Sequence, residues 1–163
     1  EDMLRWSVLE QTGPIAIRYP RGGNRTYTDS AWNRNARVTC HRTGDNVTLI
    51  TYGTLTENVL EAAKILAQQG ISASVLRLLS VQPLPVAEIQ AAVAKYPNAD
   101  IVWAQDEPAN QGPWPFIGLN LPAQLDRPLR LVSRPASAST ATGSAKRHAV
   151  EQDILVKKAF ERQ

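Results

Sequence analysis

Cysteine, histidine and methionine are almost missing from this sequence of 163 residues, which has one cysteine (Cys40), two histidines (His41 and His148) and one methionine. A single thiol closes no disulfide within the chain. One cysteine with two histidines also falls short of the ligand clusters that transition metals need. Cys40 and His41 are neighbours, yet adjacency does not make a nucleophile and its base, which need facing side chains and a third orienting group. No run of about 18 apolar residues is present to span a bilayer, and no signal-peptide pattern opens the chain; a cytoplasmic location is expected. An excess of one charge is lacking too. Lys and Arg number 18 against 15 Asp and Glu, a net +3, and Arg5, Arg18, Arg21, Arg25, Arg34 and Arg37 are scattered. That pattern disfavours nucleic acid as a partner. Neither a Gly-x-Gly-x-x-Gly fingerprint nor a Gly-Lys-Ser/Thr phosphate loop occurs.

What is present is a soluble, core-forming composition, 43% hydrophobic and 20% charged, of a length that suits one ordinary domain. From Val47 onward the apolar pattern alternates between strand and helix. Val47–Tyr52 reads as a β-branched strand and Gly53-Thr54 as a turn. A helix then runs to about Gln69, capped by Thr54 or Thr56, with Leu55, Val59, Ala62, Ala63 and Leu66 on one face. Gly70 stops it. Ile71–Leu79 reads as a second strand, Val86–Lys95 as a helix with Ile89, Ala92 and Val93 inward, and Ile101–Ala104 as a third strand. Trp114, Phe116, Ile117 and Leu119 read as a short packed helix, Leu129–Val132 as a fourth strand, and Ala149–Phe160 as a closing helix. This alternation predicts an α/β fold: a three-layer αβα sandwich around a mostly parallel sheet. The free N–H groups after Gly53-Thr54 suit either an anion or ordinary helix capping. Before this domain, Glu1–Glu10 reads as a helix, Ile15–Ile17 as a short strand, and 24–46 as a polar connector in which Trp32 offers an anchor.

In an open α/β sheet, sites lie beyond the carboxyl ends of the strands. The stretch Ile101–Trp114 places Asp106, Glu107, Asn110 and Gln111 there. These four either build a site or merely finish a strand and cap the next helix. Two further groups can hold anions. Arg18 and Arg21 flank Tyr19-Pro20 ahead of two glycines, and suit a substrate phosphate or carboxylate as well as nearby acids or solvent. Arg134, Ser137, Ser139, Lys146 and His148 surround a Ser/Thr/Ala-rich stretch. They suit an anionic effector such as a nucleotide or an acyl-CoA phosphate, or else a loop whose hydroxyls satisfy their own backbone.

Several words in the chain carry a resemblance. Glu1–Arg5 and Gly13-Pro14-Ile15-Ala16-Ile17-Arg18-Tyr19-Pro20-Arg21-Gly22 resemble the end of the pyrimidine-binding domain of thiamine-diphosphate enzymes of the deoxyxylulose-phosphate synthase type, where Arg21 matches an arginine expected to hold substrate phosphate. Val47–Gly53, Glu61–Ala63 and Val75–Pro85 are similar to the carboxyl-terminal domain of the transketolase superfamily. Lys95–Asn98, Val102–Trp114 and Arg134–Ser144, followed by Lys146 and His148–Gln152, resemble the first component of 2-oxoglutarate dehydrogenase. Asp106 and Pro113 depart from the usual form of that pattern without altering its charge.

The resemblance implies a domain plan of 1–23 as the tail of a pyrimidine-binding domain, 24–46 as a linker and 47–163 as the carboxyl-terminal domain. It implies a thiamine-diphosphate-dependent 2-oxoacid dehydrogenase component, with a deoxyxylulose-phosphate synthase or transketolase fragment as one alternative and a stand-alone acyl-CoA- or nucleotide-binding assembly module as another. Thiamine diphosphate and magnesium would be held by parts of the enzyme outside this chain, which has no Gly-Asp-Gly followed by Asn. The implied partners are a second copy or a catalytic domain, and a lipoyl-bearing acyltransferase. The missing initiator methionine and the helix at the first residues suit a piece of a longer polypeptide without turnover of its own.

Overall fold

A computed structural model of the chain describes residues 2–17, 35–144, 146, 150–151 and 153–155. The chain divides into two compact units, Glu1–Ala36 and Arg37–Gln163. In the first, α1 spans Asp2–Leu9, as its helical spacing predicts. Its Leu4 and Val8 are exposed rather than packed. Ile15–Ile17 is not a strand. Both isoleucines are exposed, and a strand forms only where a neighbour takes up its N–H and C=O groups.

The second unit is built on five strands: β1 (Val38–Arg42), β2 (Val47–Tyr52), β3 (Ala73–Leu78), β4 (Asp100–Pro108) and β5 (Arg130–Arg134), in the order β1-β3-β2-β4-β5. All pairs are parallel except β1 with β3. The parallel run follows from crossovers through α2 (Leu55–Gln68), α3 (Val86–Val93) and α4 (Trp114–Leu125). β1 corrects the connector expected over 24–46, because Val38–Arg42 forms an antiparallel edge strand, paired Val38 to Leu78 and Cys40 to Leu76. Four of its residues are only partly buried and Cys40 is exposed, so it lacks the continuous apolar run that marked β2 and β3.

Alternation along the strands makes two cores. On one face Leu49, Val75, Val102 and Val132 meet Leu55, Val59, Ala63 and Leu66 of α2, together with Leu155. On the other, Ile50, Leu76 and Trp103 meet Ile89 and Val93 of α3 and Ile117, Leu121 and Leu125 of α4. This is the αβα sandwich that the sequence predicts. Thr54 and Thr56 do not cap α2 through their side chains; the Thr56 hydroxyl instead donates back to the Gly53 carbonyl at 2.8 Å. In the closing helix Leu155 is buried, whereas Val150 and Ile154 are exposed; Val156 and Phe160 lie outside the described residues.

The turn between β1 and β2 is stitched to the start of β3. The Gly44 N–H donates to Ser74 Oγ at 2.9 Å, and that hydroxyl donates to the Gly44 carbonyl at 2.6 Å. Asn46 Oδ1 accepts from the Ser72 N–H at 2.8 Å. Any Cβ at position 44 would lie 2.4 Å from the Ala73 nitrogen and 2.5 Å from its carbonyl carbon. Backbone cannot swing aside as a flexible side chain can. Gly44→Ala is therefore expected to destabilise the domain by about 1–3 kcal/mol, the usual range for overpacking, read as a lower urea midpoint with an unchanged slope.

Candidate functional site

The candidate site sits at the carboxyl ends of β4 and β5. Between the pairs Ala104–Val132 and Pro108–Arg134, β4 advances four residues while β5 advances two. The surplus residues bulge, and a bulge re-aims side chains. β4 therefore runs beyond Ala104, and Asp106 and Glu107 lie in its bulged end rather than in a loop.

Gln105 is the anchor of this end. It is fully buried, and its carboxamide joins the strand to the turn that follows. Oε1 accepts from Trp103 Nε1 at 3.0 Å and from the Trp114 N–H, the first of α4, at 2.9 Å. Nε2 donates to the carbonyls of Pro108 at 3.1 Å and Gln111 at 2.8 Å. A helix N-terminus needs acceptors for its free N–H groups; here a buried glutamine supplies one from the preceding strand. Trp103 stacks on Tyr52, ring centroids 5.9 Å apart, and Tyr52 donates its phenolic hydrogen to Glu107 Oε1. Glu107 Oε2 is buried without a hydrogen-bond partner. Gly112 closes the turn with φ of +65°, and a Cβ there would meet the Glu107 side chain at 2.9 Å. Only glycine satisfies both the backbone conformation and the close approach.

Asn110 and Gln111 reach across to the segment after β5. Asn110 pairs with Ser137 reciprocally: its Nδ2 donates to the Ser137 carbonyl and its Oδ1 accepts the Ser137 N–H, both at 3.0 Å. Gln111 Nε2 donates to the same carbonyl at 2.8 Å.

Arg134 is the second anchor. Nε donates to the Asp106 carbonyl at 2.7 Å, NH2 to the Thr140 carbonyl at 3.1 Å, and NH1 to Thr142 Oγ1 at 3.3 Å. NH1 also faces Glu151 Oε2 at 3.4 Å, and Thr142 donates its hydroxyl to that same oxygen at 2.6 Å. The side chains of Arg134 and Glu151 are 11% and 20% exposed, so water screens the pair weakly. The Ser139 hydroxyl donates to the Ala141 carbonyl at 2.7 Å, and its N–H donates to Ser137 Oγ at 3.1 Å. Lys146 is exposed on helical backbone. Arg18, Arg21 and His148 lie outside the described residues.

Over this loop lies a cavity of about 320 Å³ lined by Arg134, Ser137, Ser139, Thr142, Gly143 and Glu151. Its volume suits a small ligand. Yet an anion entering it meets Glu151 beside an arginine that already makes four hydrogen-bond contacts to the protein. The structure thus brings Asp106, Asn110, Gln111, Arg134, Ser137 and Ser139 to one end of the sheet, and joins them through residues that the sequence reading passed over: Tyr52, Trp103, Gln105, Gly112, Thr142 and Glu151. The apolar run I-V-W-A ends at Ala104 and Gln105 is the first polar residue after it, a position that gave no sign of its burial.

The family model described as 2-oxoglutarate dehydrogenase C-terminal matches residues 46–160, which takes in β2 through β5 and every described residue of this site. The chain belongs to this family. Relatives of this 2-oxoglutarate dehydrogenase C-terminal region include the 2-oxoglutarate dehydrogenase E1/E2 component of Corynebacterium glutamicum, 46% identical over 91 residues, which is 54% of this chain and 8% of that protein. The multifunctional 2-oxoglutarate metabolism enzyme of Mycobacterium sp. (strain JLS) is 35% identical over 139 residues, 83% of this chain and 10% of that protein. The 2-oxoadipate dehydrogenase complex component E1 of Xenopus laevis is 37% identical over 96 residues, 58% of this chain and 10% of that protein. The chain therefore spans a tenth or less of the length of these curated relatives. No described helix is long and apolar enough to cross a membrane.

Proposed function

We propose that this chain serves as the carboxyl-terminal support of a thiamine-diphosphate-dependent 2-oxoacid dehydrogenase first component acting on 2-oxoglutarate or a close homologue. The observation that carries the reading is the coincidence of the family match with β2–β5 and with the network centred on Gln105 and Arg134. Among the described residues no group of three or more His, Cys, Asp or Glu side chains is placed to hold a metal ion. Thiamine diphosphate and magnesium are assigned in this reading to the remainder of the enzyme, in keeping with a sequence that has no Gly-Asp-Gly followed by Asn. The role left to this chain is positional: it holds a rigid sheet end against which other parts of the enzyme are ordered. For the whole enzyme the proposed partners are a second copy and a lipoyl-bearing acyltransferase, in keeping with a relative whose name joins E1 and E2.

Two arms test this. The chain alone, supplied with thiamine diphosphate, magnesium and 2-oxoglutarate, is expected to release no carbon dioxide above the buffer rate; turnover would overturn the supporting role. A chimaera of the Corynebacterium glutamicum component, with its matching segment replaced by the aligned residues of this chain, is expected to keep 2-oxoglutarate decarboxylation. A soluble, folded chimaera without activity would overturn the assignment to this enzyme class.

The cavity beside Arg134 favours a second reading, an effector-binding module. Calorimetric titration of the chain with acetyl-CoA and adenine nucleotides decides it: heat that disappears in Ser139→Ala or Lys146→Ala supports this reading, and silence removes it.

A further inference from the structure

The amino-terminal ends of β4 and β5 hold an arginine whose surroundings differ from those of Arg134. α4, whose Phe116 and Leu119 are exposed rather than packed as the sequence reading expected, stops at Asp126, which has a φ of 49°. Aspartate is one of the few residues that visit this left-handed conformation. The turn sets Arg127, just ahead of Pro128 and β5, against the segment that leads into β4. There its guanidinium donates from NH1 to the Tyr96 carbonyl at 3.5 Å and from NH2 to the Ala99 carbonyl. Two neutral carbonyls fix the group without cancelling its charge. Two of its five N–H donors are used in this way, and the other three have no acceptor among the described residues. Among those residues Arg127 also forms no ion pair, whereas Arg134 meets Glu151. Beside Arg127 opens a cavity of about 140 Å³, lined also by Asn98, Asp100 and Arg130.

We infer that this cavity binds a phosphate group. It lies apart from the candidate site at the carboxyl ends of the same strands: β4 has nine residues, so about 27 Å separates its two ends. Size narrows the ligand. The cavity is well under the roughly 300–1,000 Å³ of a pocket for a whole small molecule. It equals the liquid volume of about five waters, room for one oxyanion with a water beside it. Charge sets the sign, because Arg127 and Arg130 outnumber Asp100 in the lining, and Asp100 is exposed to water. Acceptor count separates phosphate from carboxylate. A phosphate monoester presents three acceptor oxygens and a charge of about −1.5 to −2 at neutral pH; a carboxylate presents two oxygens and a single charge. Three open donors on one guanidinium suit the former, and hydrogen bonds between charged partners are the strong ones. The two carbonyls already hold Arg127 in place, so binding costs little side-chain freedom. The phosphate comes either free, as the inorganic ion, or as the end of a nucleotide whose remainder lies outside the cavity. The site stands or falls apart from the supporting role proposed above.

Titration of the whole chain with sodium phosphate, against sodium chloride and sodium acetate of equal ionic strength, tests this. Phosphate alone is expected to bind saturably and to raise the thermal midpoint with concentration. Its amide shifts by nuclear magnetic resonance are expected to cluster at Asn98–Ile101 and at Arg127, Leu129 and Arg130. Arg127→Gln is expected to weaken binding at least about tenfold, as for one hydrogen bond between charged partners. That change also loosens the two carbonyl contacts, so the exposed Asp100 supplies a second variant. Asp100→Asn is expected to tighten binding at least about twofold, by removing the negative charge of the lining. ADP separates the two sources: binding tighter than that of inorganic phosphate assigns the site to a nucleotide, and binding no tighter assigns it to the free ion. No response to phosphate, or the same response to all three salts, would overturn the inference. So would phosphate binding that both variants leave unchanged. Nucleotide heat that survives Arg127→Gln and vanishes in Ser139→Ala belongs to the cavity beside Arg134, and would overturn a nucleotide site here.

Discussion

Replacing Gln105 with leucine is expected to lower the unfolding free energy by about 3–5 kcal/mol, although leucine is close to glutamine in volume and more apolar. The side chain is wholly buried, so the change exposes nothing and removes no charge. Its cost is the hydrogen bonds left behind. Trp103 Nε1 and the Trp114 N–H lose their acceptor, and the carbonyls of Pro108 and Gln111 lose a donor. Each buried polar group stranded in this way costs about 1–3 kcal/mol, and two donors and two acceptors are affected together. Urea unfolding reads the loss as a shift in midpoint. Tryptophan fluorescence reports where it begins, because two of the four tryptophans border the amide. A loss under about 1 kcal/mol would show that relaxation or entering water supplies the missing partners, and Gln105 would then be a filler rather than an anchor.

Arg134→Met is the second large effect, expected at about 3–5 kcal/mol, the range for breaking a mostly buried ion pair from one side. One guanidinium joins the end of β4, the loop after β5 and the closing helix, through the Asp106 carbonyl, the Thr140 carbonyl, Thr142 and Glu151. Methionine keeps much of the stem and none of the donors. Glu151, 20% exposed, keeps the Thr142 hydroxyl but loses the guanidinium, and this weaker compensation of its charge accounts for much of the loss. A double replacement, Arg134→Met with Glu151→Met, is therefore expected to regain a substantial part of the stability. Amide exchange over 135–142 is expected to rise in the single variant and to stay raised in the double one, because the loop carbonyls remain without their donor. Equal stability of the single and double variants would show that the packing of the arginine stem, not its charge, holds this corner together.

The core was legible because its cause is local. Val47–Tyr52 and Ile101–Ala104 are continuous apolar or β-branched runs, and Leu55, Val59, Ala62, Ala63 and Leu66 repeat at helical spacing; these patterns exist before any tertiary contact does. β1 was not legible. Val38–Arg42 mixes polar and apolar residues and is only partly buried, so what makes it a strand is the open side of β3, a partner remote in the chain. The candidate site divides in the same way. Its location at the carboxyl ends of the strands followed from the alternation of elements. The roles of its members did not, because Asn110, Gln111 and Arg134 acquire their partners only when the segment after β5 folds back onto β4. Arg134 looked like a cation awaiting an anion, and in the fold four of its five donors point to two carbonyls, a hydroxyl and a carboxylate. Leu119 looked like core because helical periodicity tells which residues share a face and not which face the sheet will cover.

The strand order has a consequence for synthesis. β1 leaves the ribosome first among the five, but its neighbour in the sheet is β3 and not β2. Until a further helix and strand have emerged, its N–H and C=O rows have nothing within the domain to bind, and an unpaired strand is a template for any other nascent chain nearby. Through the interval between translation of Arg42 and of Leu78 the growing chain thus carries an edge strand that lacks its partner.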